Sequence, residues 1–344
     1  MTFDDLSVII KKTFWRLIYR TPRERFTKVL HFEKPDQLPL IEWAAWWGLT
    51  FDRWKTEGLD PAMDTDQSLE YFGLENLKCI GAAPSIPHYS HEGNPVRNED
   101  DYDELVKNGL WSDAVIEGLV KDAKSLKERH ENGDFSIRIW LDGFFWFPRR
   151  LFGLEEHLYS FYDEPDLLKR MNSDLADYNI RAIKALYEVD TPDFVGFGED
   201  MSYNHGPMLS EEMFNEFLAP YYKRVIPEIK KKDVPVLVDS DGDITEMIPW
   251  LMSVGLEGIY PLEKQAGVDI CKIREMYPKF LMLGGYDKMC MSKGEAEMRA
   301  EFERILPVMK SGGYIPSVDH QTPPEVSFEN YKIYAKLFKE YVRK

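Results

Sequence analysis

Cationic residues are in short supply in this 344-residue chain: 43 Lys and Arg stand against 60 Asp and Glu, a formal net charge of −17. Nucleic-acid backbones and anionic membranes both demand a basic surface, so neither is expected as a partner. Cysteine is scarce too. Cys79, Cys271 and Cys290 share no paired spacing, which leaves no disulfide framework or CxxC zinc site and fits a reducing, cytoplasmic compartment. No Gly-x-Gly-x-x-Gly follows an apolar segment, so a dinucleotide-binding fold has no support. The apolar run Val8–Trp15 is short and broken by Lys11 and Lys12, with no small-residue cleavage site after it. It reads as an amphipathic helix that packs on the body of the protein or on a partner subunit, leaving a homodimer open. It does not read as a signal peptide or a membrane span.

What the chain does have is 44% hydrophobic residues and a recurring design. Val234 to Val238 reads as a buried parallel strand and runs into Asp239-Ser-Asp-Gly-Asp243. Asp193–Asp200, Glu257–Glu263 and Gly312–His320 repeat it: an apolar strand that ends in acids or His. Further strands are expected at 37–43, 77–83, 136–142 and 280–285, eight in all. Helices are expected at 22–30, 113–131, 154–162, 165–189, 210–232, 243–254, 268–277, 293–310 and 327–342, and one after Thr50. Ser90–Asp103 reads as a hairpin or lid, and Gly143–Pro148 as a loop. Strands that alternate with helices imply βαβ units and a parallel sheet. Eight units favour an α/β fold closed as a (β/α)8 TIM barrel over an open sheet. The expected organisation is a helical extension over 1–20 and one barrel domain over 21–344. Such barrels build their active sites on the carboxyl ends of the strands.

Several segments resemble the uroporphyrinogen decarboxylase superfamily. Pro22-Arg-Glu-Arg-Phe26 with Phe32-Glu-Lys-Pro-Asp-Gln-Leu-Pro39 is similar to its opening. Leu237–Ile244 resembles its strand ending His-x-Cys-Gly or His-x-Asp-Gly. Leu283-Gly-Gly-Tyr-Asp-Lys288, Gly312–Ile315, Asp319–Pro324 and Glu329-Asn330 resemble its last two strands. The resemblance implies a (β/α)8 barrel and one of two activities. Decarboxylases of uroporphyrinogen carry an Arg-rich loop after the first strand, whereas here Trp43–Phe51 is aromatic and Arg53 is the nearest Arg. That departure points to the other branch, cobalamin-dependent methyltransferases that work with a separate corrinoid protein. No Asp-x-His-x-x-Gly segment is present, so the cobalamin has to arrive on that partner. The expected activity moves a methyl group from a small methylated donor, an aryl methyl ether, to the cobalt of the corrinoid protein (O-demethylation). A decarboxylase of a small acid and a non-catalytic ligand-binding barrel are the alternatives.

Thiol-activating members hold zinc through a His-x-Cys tip and a later Cys. Here the tip is Asp239-x-Asp241 and the later position is Asp319-His320, so thiolate ligation is absent. Asp239, Asp241, Glu263 and His320 form the candidate metal set, since Zn²⁺ accepts carboxylate and imidazole; capping helices is the alternative duty for the acids. Methyl transfer needs help for a poor leaving group. Glu199, Asp239, Glu263 and His320 are the catalytic candidates. Trp43, Trp46, Trp47, Phe144, Trp146, Tyr203 and Tyr260 are candidates for an apolar substrate pocket, with packed loop residues as the competing reading. Arg149 and Arg150 either hold an anion or are solvated.

Overall fold

Residues 20–44 and 46–344 are described in the structure, a computed structural model. The helix expected at 8–15 lies outside the described residues. From residue 20 onward the chain alternates strand and helix. The strands are β1 (Leu77–Gly81), β2 (Ser136–Asp142), β3 (Phe194–Gly198), β4 (Ser202–Tyr203), β5 (Gly206–Pro207), β6 (Val236–Asp239), β7 (Gly258–Tyr260), β8 (Leu281–Tyr286) and β9 (Tyr314–Val318). Seven of them form one parallel sheet in the order β1-β2-β3-β6-β7-β8-β9, and β4–β5 is a small antiparallel hairpin. The register aligns the ends: Gly198 faces Asp239, and Asp239 faces Tyr260. Val, Ile, Leu and Phe fill these strands because both faces are covered, one by helices and the other by the barrel interior.

The eighth strand, expected at 37–43, is present only as a single parallel bridge, Ile41 to Glu75. Pro39 removes one ladder donor, and the Leu40 amide donates to the Glu75 side chain, not to a backbone carbonyl. The segment still closes the barrel. The Trp43 amide donates to Ser317 Oγ on β9 (3.2 Å), and its indole donates to the Val318 carbonyl (2.8 Å). The result is a TIM-barrel-like α/β fold with one weakly zipped seam, between residues 41–44 and β1.

The helix Pro22–Leu30 starts with Pro22 inside a Thr21/Glu24 capping box. Phe26 on this helix stacks on Phe194 at the start of β3 (5.9 Å). With Leu237, Leu281, Leu283 and Ile315 it plugs the amino-terminal end of the barrel, so the strand carboxyl ends carry the open side.

Three expectations change. Gly143–Pro148 is no loop beyond Phe145: Trp146–Phe152 is a helix, with Pro148 tolerated in its first turn. Ser90–Asp103 forms no hairpin and instead leads into the helix Glu99–Lys107, capped by Asn98. The helix expected over 210–232 divides before Pro220 into Glu211–Phe217 and Ala219–Ile229.

Candidate active site

Glu199 follows β3 directly and is fully buried. Its carboxylate accepts from the amides of Phe144 (2.8 Å), Phe145 (2.7 Å) and Trp146 (3.0 Å), and from the Tyr222 hydroxyl. These amides are the orphan donors at the start of the Trp146–Phe152 helix, so Glu199 caps that helix from another strand. Burial pushes its carboxyl up to about 7, although the four donors pull it down. The catalytic role expected for Glu199 is corrected to positioning, because no face of it is open to a substrate.

Asp239, at the tip of β6, is buried but not sealed. Desolvation raises its pKa well above the ordinary carboxylate value. Arg138 opposes the rise, and Asp200, Asp241 and Glu263 add to it. Asp241 is half exposed, and burial together with Glu263 and Asp200 pushes it up to about 7. His320, just past β9, places Nε2 3.6 Å from Asp241 Oδ2 and sets its ring edge-on to Trp43 (5.9 Å). Desolvation and then the Lys288 charge lower the imidazole pKa. The buried Lys288 sits 3.5 Å from Glu263 Oε1 and 3.4 Å from Asp319 Oδ1. Asp319, fully buried, also accepts from the amides of Lys264 (3.0 Å) and Lys288 (3.2 Å), and burial holds its carboxyl at about 6. Asp239, Asp241, Glu263 and His320 are therefore gathered at one mouth, as expected from the strand tips.

The zinc expectation is corrected. Among the described residues no three His, Cys, Asp or Glu side chains come together as a ligand set. Glu263 is engaged by the Gly242 amide (3.2 Å) and by Lys288 (3.5 Å), whose ammonium competes with a cation for that carboxylate. The donor set does not fit a zinc ion.

The aromatic pocket is corrected in part. Phe144, Phe145 and Phe147 are fully buried in the core. Trp46 packs in a ring cluster with Phe51, Trp54, Phe72 and Tyr331. Trp43 and Tyr260 meet edge-on at 5.2 Å beneath the mouth. Trp146 lies under the Arg149 guanidinium, 5.1 Å from its ring centre, and Trp47 and Tyr203 are exposed. Arg150 pairs with Asp142, and Arg149 donates to the Asp200 carbonyl (2.9 Å).

Three residues escaped the sequence reading. Asp200, which has φ 42°, adds a carboxyl to the mouth. Glu42, buried in the seam, accepts from Ser317 Oγ (2.8 Å) and Tyr331 (3.2 Å). Arg138 lies inside the barrel, and its signal was a lone cation in the apolar strand Ser136–Asp142.

Residues 94–341 match the family model described as uroporphyrinogen decarboxylase (URO-D). A uroporphyrinogen decarboxylase of Pelodictyon phaeoclathratiforme is 25% identical over 267 residues, covering 72% of this chain and 70% of that protein. One from Chlorobium limicola is 26% identical, over 38% of each chain. The methylcobamide:CoM methyltransferase MtbA of Methanosarcina mazei is 22% identical over 59% of this chain and 57% of its own. A solved methyltransferase from Methanosarcina mazei superposes with a TM-score of 0.64 at 15% identity, covering 93% of this chain and 99% of that one, which supports the fold. The family match runs over most of its length, and the chain belongs to the uroporphyrinogen decarboxylase family.

Proposed function

We propose that this chain is a methyltransferase that passes a methyl group from a small methylated donor, an aryl methyl ether, to the cobalt of a corrinoid held by a partner protein. The observation that carries this reading is the crowd of acids around His320. Asp200, Asp239 and Asp241 each raise or are raised by their neighbours, with Glu263 beside them, Arg149 and Lys288 as the facing cations and Arg138 below Asp239. A substrate bearing many carboxylates meets repulsion at such a mouth, which disfavours uroporphyrinogen even though two relatives are named for it. A small ether meets no such repulsion.

The same crowding supplies chemistry. A carboxyl held near 7 is about half protonated at neutral pH, poised to give its proton to a nearby oxygen. In the proposed step the bond between methyl carbon and ether oxygen breaks. The methyl goes to the reduced corrinoid, and the oxygen takes the proton from Asp241 to leave as a neutral alcohol or phenol. His320 lies beside Asp241 and, with its lowered pKa, stays neutral and ready to share that proton. Trp43 and Tyr260 offer the ring surface beneath. A relative named as a methylcobamide:CoM methyltransferase supports a corrinoid as the partner in the exchange.

The test is incubation with a reduced corrinoid protein and a panel of methoxylated aromatics, methylamines and methanol, read by the absorbance of the methylated corrinoid. A methylated product with aryl ethers is the expected result. No methyl transfer, together with loss of CO₂ from a uroporphyrinogen or a small acid, overturns the reading.

A further inference from the structure

Arg138, in the middle of β2, points inward and places its guanidinium 5.5 Å from the Trp43 ring centre and 5.4 Å from that of Tyr260. Two aromatic faces hold it in place. Its Nε and Nη1 are buried and have no hydrogen-bond partner among the described residues. The Tyr260 hydroxyl, also buried, has none either. The Cys79 thiol and the Tyr260 hydroxyl border the guanidinium as weak polar neighbours outside strict hydrogen-bond geometry, and the Asp239 charge acts on it through space. A guanidinium does not shed its proton, so leaving two of its buried nitrogens without a well-placed acceptor is costly. Nε and Nη1 each pair with Nη2 into a two-pronged edge, the geometry that grips both oxygens of a carboxylate.

There is room for one. A cavity of about 220 Å³ lies in the loosely zipped seam, bordered by Arg138, Cys79, Trp43, Glu42, Leu69 and Lys78. Its charges favour a single anion. Lys78 is already paired with Asp66, and burial pushes the Glu42 carboxyl up to about 7, which weakens its repulsion. Cys79 is exposed, so the seam is reachable from the side and not only through the acid mouth. Trp43 links the two: it walls this cavity and meets His320 at the mouth.

We infer that the seam cavity binds one small organic carboxylate, gripped by Arg138 against the face of Trp43, and that this carboxylate is the anchor of the donor. The second half rests on the methyl-transfer reading; the first does not. A single carboxylate at Arg138 asks nothing of the acid mouth that eight would, because it sits below the acids and beside them.

The experiment compares matched acids and amides. Acetate, benzoate and 4-methoxybenzoate are titrated calorimetrically against acetamide, benzamide and 4-methoxybenzamide, using the wild-type protein, Arg138→Lys and Arg138→Gln. The acids should bind at least about tenfold more tightly than their amides, and Arg138→Lys, which keeps the charge but loses the fork, should lose about tenfold or more. An independent readout needs no variant: a bound acid should slow alkylation of Cys79 in the wild-type protein while its amide does not. Equal binding of acids and amides, undiminished binding by a folded Arg138→Gln, or no protection of Cys79 overturns the anion site. Acid binding with intact Cys79 protection but no methyl transfer from any methylated acid leaves the anion site standing and overturns its role as the donor anchor, whereas no transfer from any aryl methyl ether overturns the proposed function instead.

Discussion

His320 Nε2 lies 3.6 Å from Asp241 Oδ2 and joins the tips of β9 and β6 across the barrel mouth. The two groups are tuned in opposite directions: Asp241 is pushed up to about 7, and the imidazole is lowered. Near neutrality the proton therefore resides on Asp241. Methyl transfer that draws on that proton should be fast below about pH 7 and fall as the pH rises through that value. Asp241→Asn should remove the alkaline limb and slow turnover by about 10²-fold or more. The check is turnover against pH for both proteins; an unchanged profile in Asp241→Asn would remove Asp241 from the chemistry.

Glu42 gives a stability signature of its own. Desolvation raises its folded-state carboxyl from the ordinary 4.5 to about 7. Between these values the folded state holds the proton more tightly than the unfolded chain, so stability falls as the pH rises across that window and levels off above it. At about 1.4 kcal/mol per unit, the loss attributable to this one group is at most about 3–4 kcal/mol. Glu42→Gln keeps an acceptor for the Ser317 hydroxyl and cannot ionise. It should be less stable relative to wild type at pH 5 than at pH 8. Urea unfolding at the two pH values decides; an equal difference at both would show that Glu42 does not titrate in this window.

The sequence made the strand tips legible because the period of apolar runs ending in acids is local. Asp239, Asp241, Glu263 and His320 meet at one mouth on that logic alone. What each side chain does there was not legible. Glu199 looks like the others in sequence, yet its carboxylate turns to three amides that lie 53–55 residues away. Phe144 and Trp46 sit just past strand ends, as pocket residues would, but helices packed over them make them core. The lost first strand depends on one Glu75 side chain occupying a ladder position, a contact that no periodicity encodes. Lys288, which engages Glu263 of the expected metal set, acts through two partners on different loops.

Rings in the core and rings at the mouth should respond differently to mutation. Phe144 is enclosed by Phe197, Tyr221 and Tyr222. Phe144→Ala should cost about 3–5 kcal/mol of stability without changing the preference among donors. Trp43→Phe loses one indole hydrogen bond, worth about 1 kcal/mol, yet it alters the ring that faces His320 and Arg138. It should raise KM for aromatic donors more than for methanol. Equal kinetic shifts for large and small donors in Trp43→Phe would make Trp43 a packing residue as well.

Gly143 exists to let the Glu199 cap in. A Cβ at this position would overlap the Glu199 carboxyl group. Gly143→Ala should therefore displace the cap and strand up to three amides, with a loss of about 2–4 kcal/mol. Glu199→Gln should show a similar loss, and the double variant should lose less than the sum, because both break the same contact. Additive losses in urea unfolding would mean that the two residues act separately.

Docking of the proposed corrinoid partner gives the last test. Transfer requires donor methyl and acceptor cobalt to align at close range, and the amino-terminal end of the barrel is plugged by the Pro22–Leu30 helix and Phe26. The approach is therefore from the strand carboxyl ends. Phe147, within the Gly143–Pro148 segment that reads as a loop in sequence, is fully buried and cannot contact a partner. The exposed apolar residues on this face are others: Trp47 (42% exposed) and Leu49 (67%) after the eighth segment, Tyr203 (48%) in the β4–β5 hairpin and Met289 (38%) after β8. Apolar side chains left bare around one mouth are what a transient partner covers. Leu49→Glu and Tyr203→Glu alter no core contact and should leave thermal stability and donor binding unchanged. Each should slow transfer to the corrinoid protein by about tenfold, while transfer to free cobalamin, which needs no protein contact, stays as it was. An equal loss with both acceptors would place these residues in the donor site, and no loss with either would mean that the partner docks elsewhere.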